Sequence, residues 1–329
     1  MENNIQDEAI TNFNKLSNLT IVIEEAPQTN DDGVLTLKYA NRAYSLPFLY
    51  LPNLTFAKTL DLEQDVIEKK ELLLLTDYLP KKLKTYLRSK NISYLDRAGN
   101  TFITNDEGLF IYLETNTAKR PKPSSNRAFS KSGLKVLFQI LVDEKVVNMP
   151  YREIGKRASV SIDTVGKVLK ELLRDQYLIR VNESEYQLQH KERLLQEWVT
   201  IFNRVLRPKL KQQSFDLRME TLRELANKAQ SQSVSGELGG ELLSNYLIAE
   251  HAIIYTSASF VEVAKTLNLL PSRNGKVKMV EQFWHQKPKE ADGVTVHPIL
   301  VYADLLSNPT ARNLETAKIV YNKYVKDHL

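Results

Sequence analysis

Between residues 133 and 189 the apolar spacing is helical three times and then alternates, and this pattern restricts the possible folds most. Leu134, Leu137, Phe138, Leu141 and Val142 repeat at helical spacing over Gly133–Lys145. Pro150 opens a short second helix, Tyr151–Ala158, with Ile154 and Ala158 inward. Ser159-Val160 makes a turn, and Ser161 can N-cap a third helix over Ile162–Gln176. The apolar stripe of that helix reads Ile162, Val165, Val168, Leu169 and Leu172. Tyr177–Val181 and Glu185–Gln189 then alternate like two strands around Asn182-Glu183-Ser184. Three helices and a hairpin in this order predict a winged helix-turn-helix over residues 132–190.

The polar side of the third helix carries Asp163, Thr164, Lys167, Lys170, Glu171 and Arg174. A recognition helix enters the major groove by its N-terminal part. Ser161, Thr164 and Lys167 are therefore expected at base edges, where a lysine can address guanine O6 and N7. Lys170, Arg174, Arg152 and Arg157 are expected nearer phosphates. Charge placement agrees. Residues 119–180 hold 14 basic side chains against six acidic ones, whereas the whole chain is only +5. Such clustering is the electrostatic footprint of a polyanion partner, although a solvated basic surface or a protein-binding winged helix would share it.

Length bounds the rest. A chain of 329 residues suggests two or three domains. Cysteine is absent, which excludes disulfides, thiolate metal sites and cysteine nucleophiles and suits a reducing cytoplasm. No apolar run reaches membrane-spanning length, and the polar start Met1-Glu2-Asn3-Asn4 is unlike a signal peptide. Residues 1–114 read as an α/β domain: a helix near Asp7–Leu19, strands within 20–51, a polar helix over 60–71, a buried strand at Leu72–Thr76 and a helix from Lys81 to Lys90 opened by Pro80. Further strands are expected at 92–95, 101–104 and 109–114. Residues 115–131 form a basic linker without an acid; Lys119, Arg120 and Lys122 are expected to lie along phosphates as an arm. Residues 191–329 form a third domain. It opens with a helix over 191–205, carries Gly239-Gly240 where a helix is expected to approach a strand, and has helices over 241–245, 297–306 and 314–326.

Chemistry is sparse. The five histidines are scattered without zinc-type spacing, and no phosphate-cradling or nucleophile-elbow motif occurs. Neither a metal nor a cofactor is expected. Ser235-Gly236 and Gly239-Gly240 could belong to a nucleotidyltransferase-like domain, but the next strand, Ile253–Ser257, has no acid to hold magnesium. Asp304 is expected to be a buried hydrogen-bonding residue.

The stretches YLDRAGNTFI (94–103), GLFIYLE (108–114), PYREIGKRASVSIDTVGKVLKEL (150–172), LRPKL (206–210), SGELGGELLSNYL (235–247) and HPILVYADLLSNPTARNLETAKIVY (297–321) occur here in a telling order. Together they resemble the AbiEi-type antitoxins and transcriptional regulators of type IV toxin–antitoxin systems. The resemblance implies an α/β multidomain chain, α+β overall: a restriction-endonuclease-like N-terminal domain, a central winged helix-turn-helix, and a C-terminal nucleotidyltransferase-like antitoxin domain. It implies a repressor of its own operon that opposes a co-encoded nucleotidyltransferase-like toxin. Double-stranded operator DNA is the expected partner in the cytoplasm, and a two-fold operator would imply a homodimer. The nuclease pattern needs an Asp and then Glu-x-Lys. At Phe48-Leu49-Tyr50-Leu51 leucines would replace the carboxylate and the amine, so no catalytic residue is expected. A metal-dependent nuclease, a nucleotidyltransferase, or a protein-interaction adaptor are the alternative classes.

Overall fold

The computed structural model describes residues 2–17, 19–24, 33–39, 42–51, 54–56, 58–59, 72–105, 108–114, 126–182, 185–218, 221–229, 233–285 and 293–326; of 2–7, 23, 24 and 39 it describes the backbone alone. The helix expected over 60–71 and Lys119, Arg120 and Lys122 of the basic arm lie outside the described residues. The fold is mixed α and β, in two compact units, 1–123 and 124–329.

The first unit is one seven-stranded sheet whose strands lie in chain order: β1 (Thr20–Glu24), β2 (Gly33–Tyr39), β3 (Arg42–Tyr50), β4 (Leu73–Thr76), β5 (Ser93–Asp96), β6 (Thr101–Thr104) and β7 (Phe110–Leu113). β1, β2 and β3 form an antiparallel meander; β3, β4 and β5 run parallel; β6 and β7 turn back antiparallel. Parallel neighbours need a crossover, and helix α2 (Lys81–Ser89), capped at its start by Pro80, supplies one. Helix α1 (Glu2–Ser17) puts Ala9 and Phe13 on one face of the sheet, while Leu83 and Leu87 of α2 join the core of the other. Covered on both sides, β4 buries all four residues, which explains its unbroken apolar run. Asp96 closes the β5–β6 turn: its Oδ1 accepts from the backbone N–H of Ala98 and Asn100, both at 3.0 Å. Gly99 has φ +84° there and lies against α1, so a side chain would be both strained and crowded by Leu16. β2 and β3 contain no acid.

The second unit begins within the expected linker. Residues 126–131 are folded rather than extended tether. Asn126 caps a 3-10 turn over Arg127–Phe129 that buries Ala128 and Phe129, and Ser130 caps helix α3 (Lys131–Val142). Gly133 packs so closely on that turn that a Cβ would stand 2.2 Å from the Arg127 carbonyl oxygen. Helix α3 stops at Val142, short of the expected Lys145, because Asp143 leaves the helical region and caps a separate 3-10 turn, Glu144–Asn148. Helices α4 (Tyr151–Ala158) and α5 (Ile162–Arg174) follow, joined through Ser159 at φ 53°. The hairpin of β8 (Leu178–Arg180) and β9 (Tyr186–Leu188) pairs Ile179 with Gln187.

Helix α6 (Lys191–Ile201) runs on through a wider turn, Phe202–Leu206, to Arg207–Lys209. A five-stranded sheet comes next, ordered β11 (Ser233–Ser235), β12 (Ala252–Thr256), β14 (Val277–Glu281), β10 (Gln212–Leu217), β13 (Leu269–Pro271). Helices α7 (Leu222–Lys228) and α9 (Phe260–Thr266) feed the core of one face through Leu225, Phe260 and Val263. Helix α8 (Gly236–Ser244) packs on α10 (Pro298–Ser307) and α11 (Ala311–Val320). The expectation of a helix starting at 241 is corrected: it starts at 236, and Gly240 lies against Thr316 and Leu305 of other helices, whereas Gly239 meets Val301 and the Val234 carbonyl.

One aromatic cluster joins the three-helix segment to this sheet. Phe138 of α3 stacks on Trp198 at 5.5 Å and meets Phe283 at 5.1 Å and Trp284 at 5.5 Å. Trp198 stacks on Phe202 at 4.8 Å, and its Nε1–H donates to the Leu134 carbonyl at 2.8 Å. The His285 N–H donates to the Arg157 carbonyl at the end of α4.

Candidate nucleic-acid interface and C-terminal polar core

Helix α5 is amphipathic because Val165, Val168, Leu169 and Leu172 recur at helical spacing, and all four are buried. Ser161 does what its residue type allows at an N-cap: its Oγ accepts from the Thr164 N–H at 3.3 Å. The same Oγ lies 2.9 Å from Thr164 Oγ1. Ser161 thus caps the helix and remains exposed at its head. The expectation for Ile162 is corrected. It lies 53% exposed at the head of the helix, outside the apolar stripe.

The remaining polar residues share the open side. Asp163, Lys167, Lys170 and Arg174 are exposed and Thr164 is half-buried. Lys167 Nζ reaches Asp163 Oδ2 at 2.6 Å, Arg174 pairs with Glu171 and Asp175, and Arg157 pairs with Glu153 at 3.3 Å. Arg152 and Lys170 are exposed and make no ion pair among the described residues. Exposed i,i+4 pairs are worth only about 0.3–0.5 kcal/mol, against about 1–3 kcal/mol for a good base contact. The Asp163 pairing therefore does not withhold Lys167 from a groove.

Three further side chains flank α5. Tyr151 packs over Gly166, where a Cβ would lie 3.5 Å from its ring. Tyr186 of β9 hydrogen-bonds Tyr151, and Arg180 of β8 lies 6.0 Å from the Tyr186 ring centroid. Arg180 counted in the basic excess but had no assigned role, since only the hairpin pairing brings it beside Tyr186. Residues 183 and 184 of the wing tip lie outside the described residues.

Among the described residues of the second unit, two buried carboxylates anchor polar networks. Asp304 of α10, 2% exposed, accepts from Arg207 Nε at 2.9 Å and Tyr255 OH at 3.2 Å on Oδ1, and from Ser235 Oγ at 2.7 Å on Oδ2. Burial pushes the Asp304 carboxyl up, against the downward pull of Arg207, Ser235 and Tyr255. Glu237 makes a second knot. Its Oε2 accepts from the N–H groups of Glu250 and His251, and its Oε1 from Asn313 Nδ2. Arg207, Ser235 with Glu237, and Asp304 with Asn313 come from the 206–210, 235–247 and 297–321 stretches, so three of the stretches that carry the resemblance meet in one polar core. These bonds use the carboxylates internally. No group of three or more metal-ligating side chains occurs among the described residues.

Residues 187–326 match the family model described as transcriptional regulator, AbiEi antitoxin, type IV TA system. Over this segment the chain is similar to the AbiEi antitoxin family. No curated protein and no solved structure gives a match. The AbiEi match starts within β9 and takes in the whole polar core together with Trp198, Phe202, Phe283 and Trp284. The family is described as one of transcriptional regulators and antitoxins. No helix among the described residues is long and apolar enough to cross a membrane.

Proposed function

We propose that this chain is a DNA-binding repressor of its own operon and the antitoxin of a type IV pair. In this reading residues 132–190 act as a winged helix and the C-terminal domain, 191–329, opposes a nucleotidyltransferase-like toxin. The observation that carries it is the open face of α5: its apolar stripe is spent on the core while Ile162, Asp163, Lys167, Lys170 and Arg174 face solvent.

In the major groove, Thr164 and Lys167 reach base edges, Asp163 accepts from a cytosine amino group, and Ile162 covers a thymine methyl. Lys170, Arg174, Arg152 and Arg157 lie toward phosphates, and Ser161 holds the helix head. The wing, with Arg180, and the arm with Lys119, Arg120 and Lys122 add backbone contacts. A two-fold operator would take two copies with half-sites about one helical turn, roughly 34 Å, apart. Residues 1–114 serve as a nuclease-like domain without cleavage chemistry, supported by the lack of an acid in β2 and β3. The absence of cysteine suits a cytoplasmic location.

Gel-shift titration against the DNA upstream of the gene tests this. Thr164→Ala with Lys167→Ala should lose at least tenfold in specific affinity, since each base contact is worth about 1–3 kcal/mol. Arg152→Ala and Lys170→Ala should each lower the slope of log K against log salt by about one. Parent-like binding by the Thr164/Lys167 variant would sink the assigned face. Salt-insensitive behaviour without retention on duplex DNA would favour a protein-binding role.

A further inference from the structure

Among the described residues, the sheet of the first unit has a face that runs out of cover at its edge. Tyr94, Phe102 and Tyr112 lie side by side across β5, β6 and β7. Tyr94 and Phe102 are buried under α2, but Tyr112 is 45% exposed and Phe110, next along the same side of β7, is 69% exposed. The strand is not frayed: Ile111 and Leu113, on its other side, pack into the opposite core. Phe110 is held edge-on to Phe102 at 5.9 Å.

Cations border these rings. Helix α2, KKLKTYLRS, contains four basic residues and no acid. Lys84 is buried against Asp96 and Glu114, at 3.9 and 3.7 Å. Arg88 stands 5.0 Å from the Tyr112 ring centroid, donates to the hydroxyls of Tyr94 and Tyr112, and faces Glu114 at 3.6 Å. Lys81 lies two turns before Arg88 on the same helix face, its backbone carbonyl accepting from Thr85, and the Lys81 and Lys82 side chains are exposed. A second copy paired along β7 would set two such cationic rims against each other, which disfavours self-association. Unpaired nucleobases satisfy both features, because their π-faces stack on aromatic rings and their phosphates meet lysine and arginine.

We propose that Phe110, Tyr112 and the basic helix Lys81–Ser89 form a binding platform for single-stranded nucleic acid. The platform stands on its own geometry and does not depend on the groove-reading role of α5. Fluorescence anisotropy of the full chain with labelled oligothymidine of about 12 nucleotides tests it. The parent should bind at low salt. Phe110→Ala with Tyr112→Ala should weaken binding by roughly tenfold per ring, while Tyr112→Phe keeps it and duplex binding is unchanged in both. Lys81→Ala with Lys82→Ala, exposed positions that leave the core intact, should lower the salt slope by roughly one and a half. A parent that does not bind the oligonucleotide, or a double alanine variant that binds it equally well, would overturn the proposal. So would a loss of sedimentation mass on removing the rings, which would assign the edge to pairing between copies.

Discussion

Trp198→Ala is expected to destabilise the whole of residues 124–329, by about 3–5 kcal/mol. Trp198 is fully buried, stacks on both Phe138 and Phe202, and gives its N–H to the Leu134 carbonyl. Truncation leaves a cavity between α3 and α6 and removes the indole hydrogen bond that ties the two helices together. Most single domains are stable by only about 5–15 kcal/mol, so this one change removes a large share. The effect should be shared because the same rings touch Phe283 and Trp284, which follow β14 of the C-terminal sheet. Urea unfolding of the variant followed by the fluorescence of Trp284, its remaining tryptophan, should give one transition at lower denaturant. Hydrogen exchange should accelerate in α5 and α10 together. Exchange that quickens in 131–188 while 298–307 stays as protected as in the parent would mean that the three-helix segment and the C-terminal segment fold separately.

This coupling is hard to read from the chain, whereas its components are not. Val165, Val168, Leu169 and Leu172 announce α5 because their spacing is local, and Ser161 announces its start because a cap needs only its own neighbours. Ile162 fits the same periodicity yet lies outside the stripe, since at the first helical position nothing from α3 or α4 reaches over it. The strand Gln212–Leu217 is nearly silent: its first three residues are polar, and it is a strand because β14 and β13 pair with it from more than 50 positions away. Arg207 and Asp304 are 97 positions apart, so no periodicity links them. Asp304 in an apolar run does signal a buried carboxylate, but its partners come only from the tertiary fold. The same holds for Phe110 and Tyr112. Their alternation shows a strand, and the placement of α2 leaves their side exposed among the described residues.

Asp304→Ala should cost about 3–5 kcal/mol, the range for removing one partner of a buried pair. The loss arises less from the missing attraction than from what remains: a largely buried Arg207 guanidinium with no counter-charge, and Ser235 and Tyr255 hydroxyls without their acceptor. Replacing both partners, Asp304→Leu with Arg207→Leu, should cost less than the single change, because no charge is then stranded. Asp304→Asn should fall between them. The pH dependence carries a sign. Burial raises the folded Asp304 carboxyl above its unfolded value of about 4, so the folded state holds that proton more tightly. Its contribution is complete below the unfolded value and fades as pH rises through the folded one. Asp304→Asn should flatten that part of the stability curve. A catalytic carboxylate would behave differently: the amide would abolish antitoxin action in a protein as stable as the parent. With every Asp304 contact directed inward, the toxin neutralisation proposed above should instead fall in step with the folded fraction, and cooling the Asp304→Asn protein until it refolds should restore it.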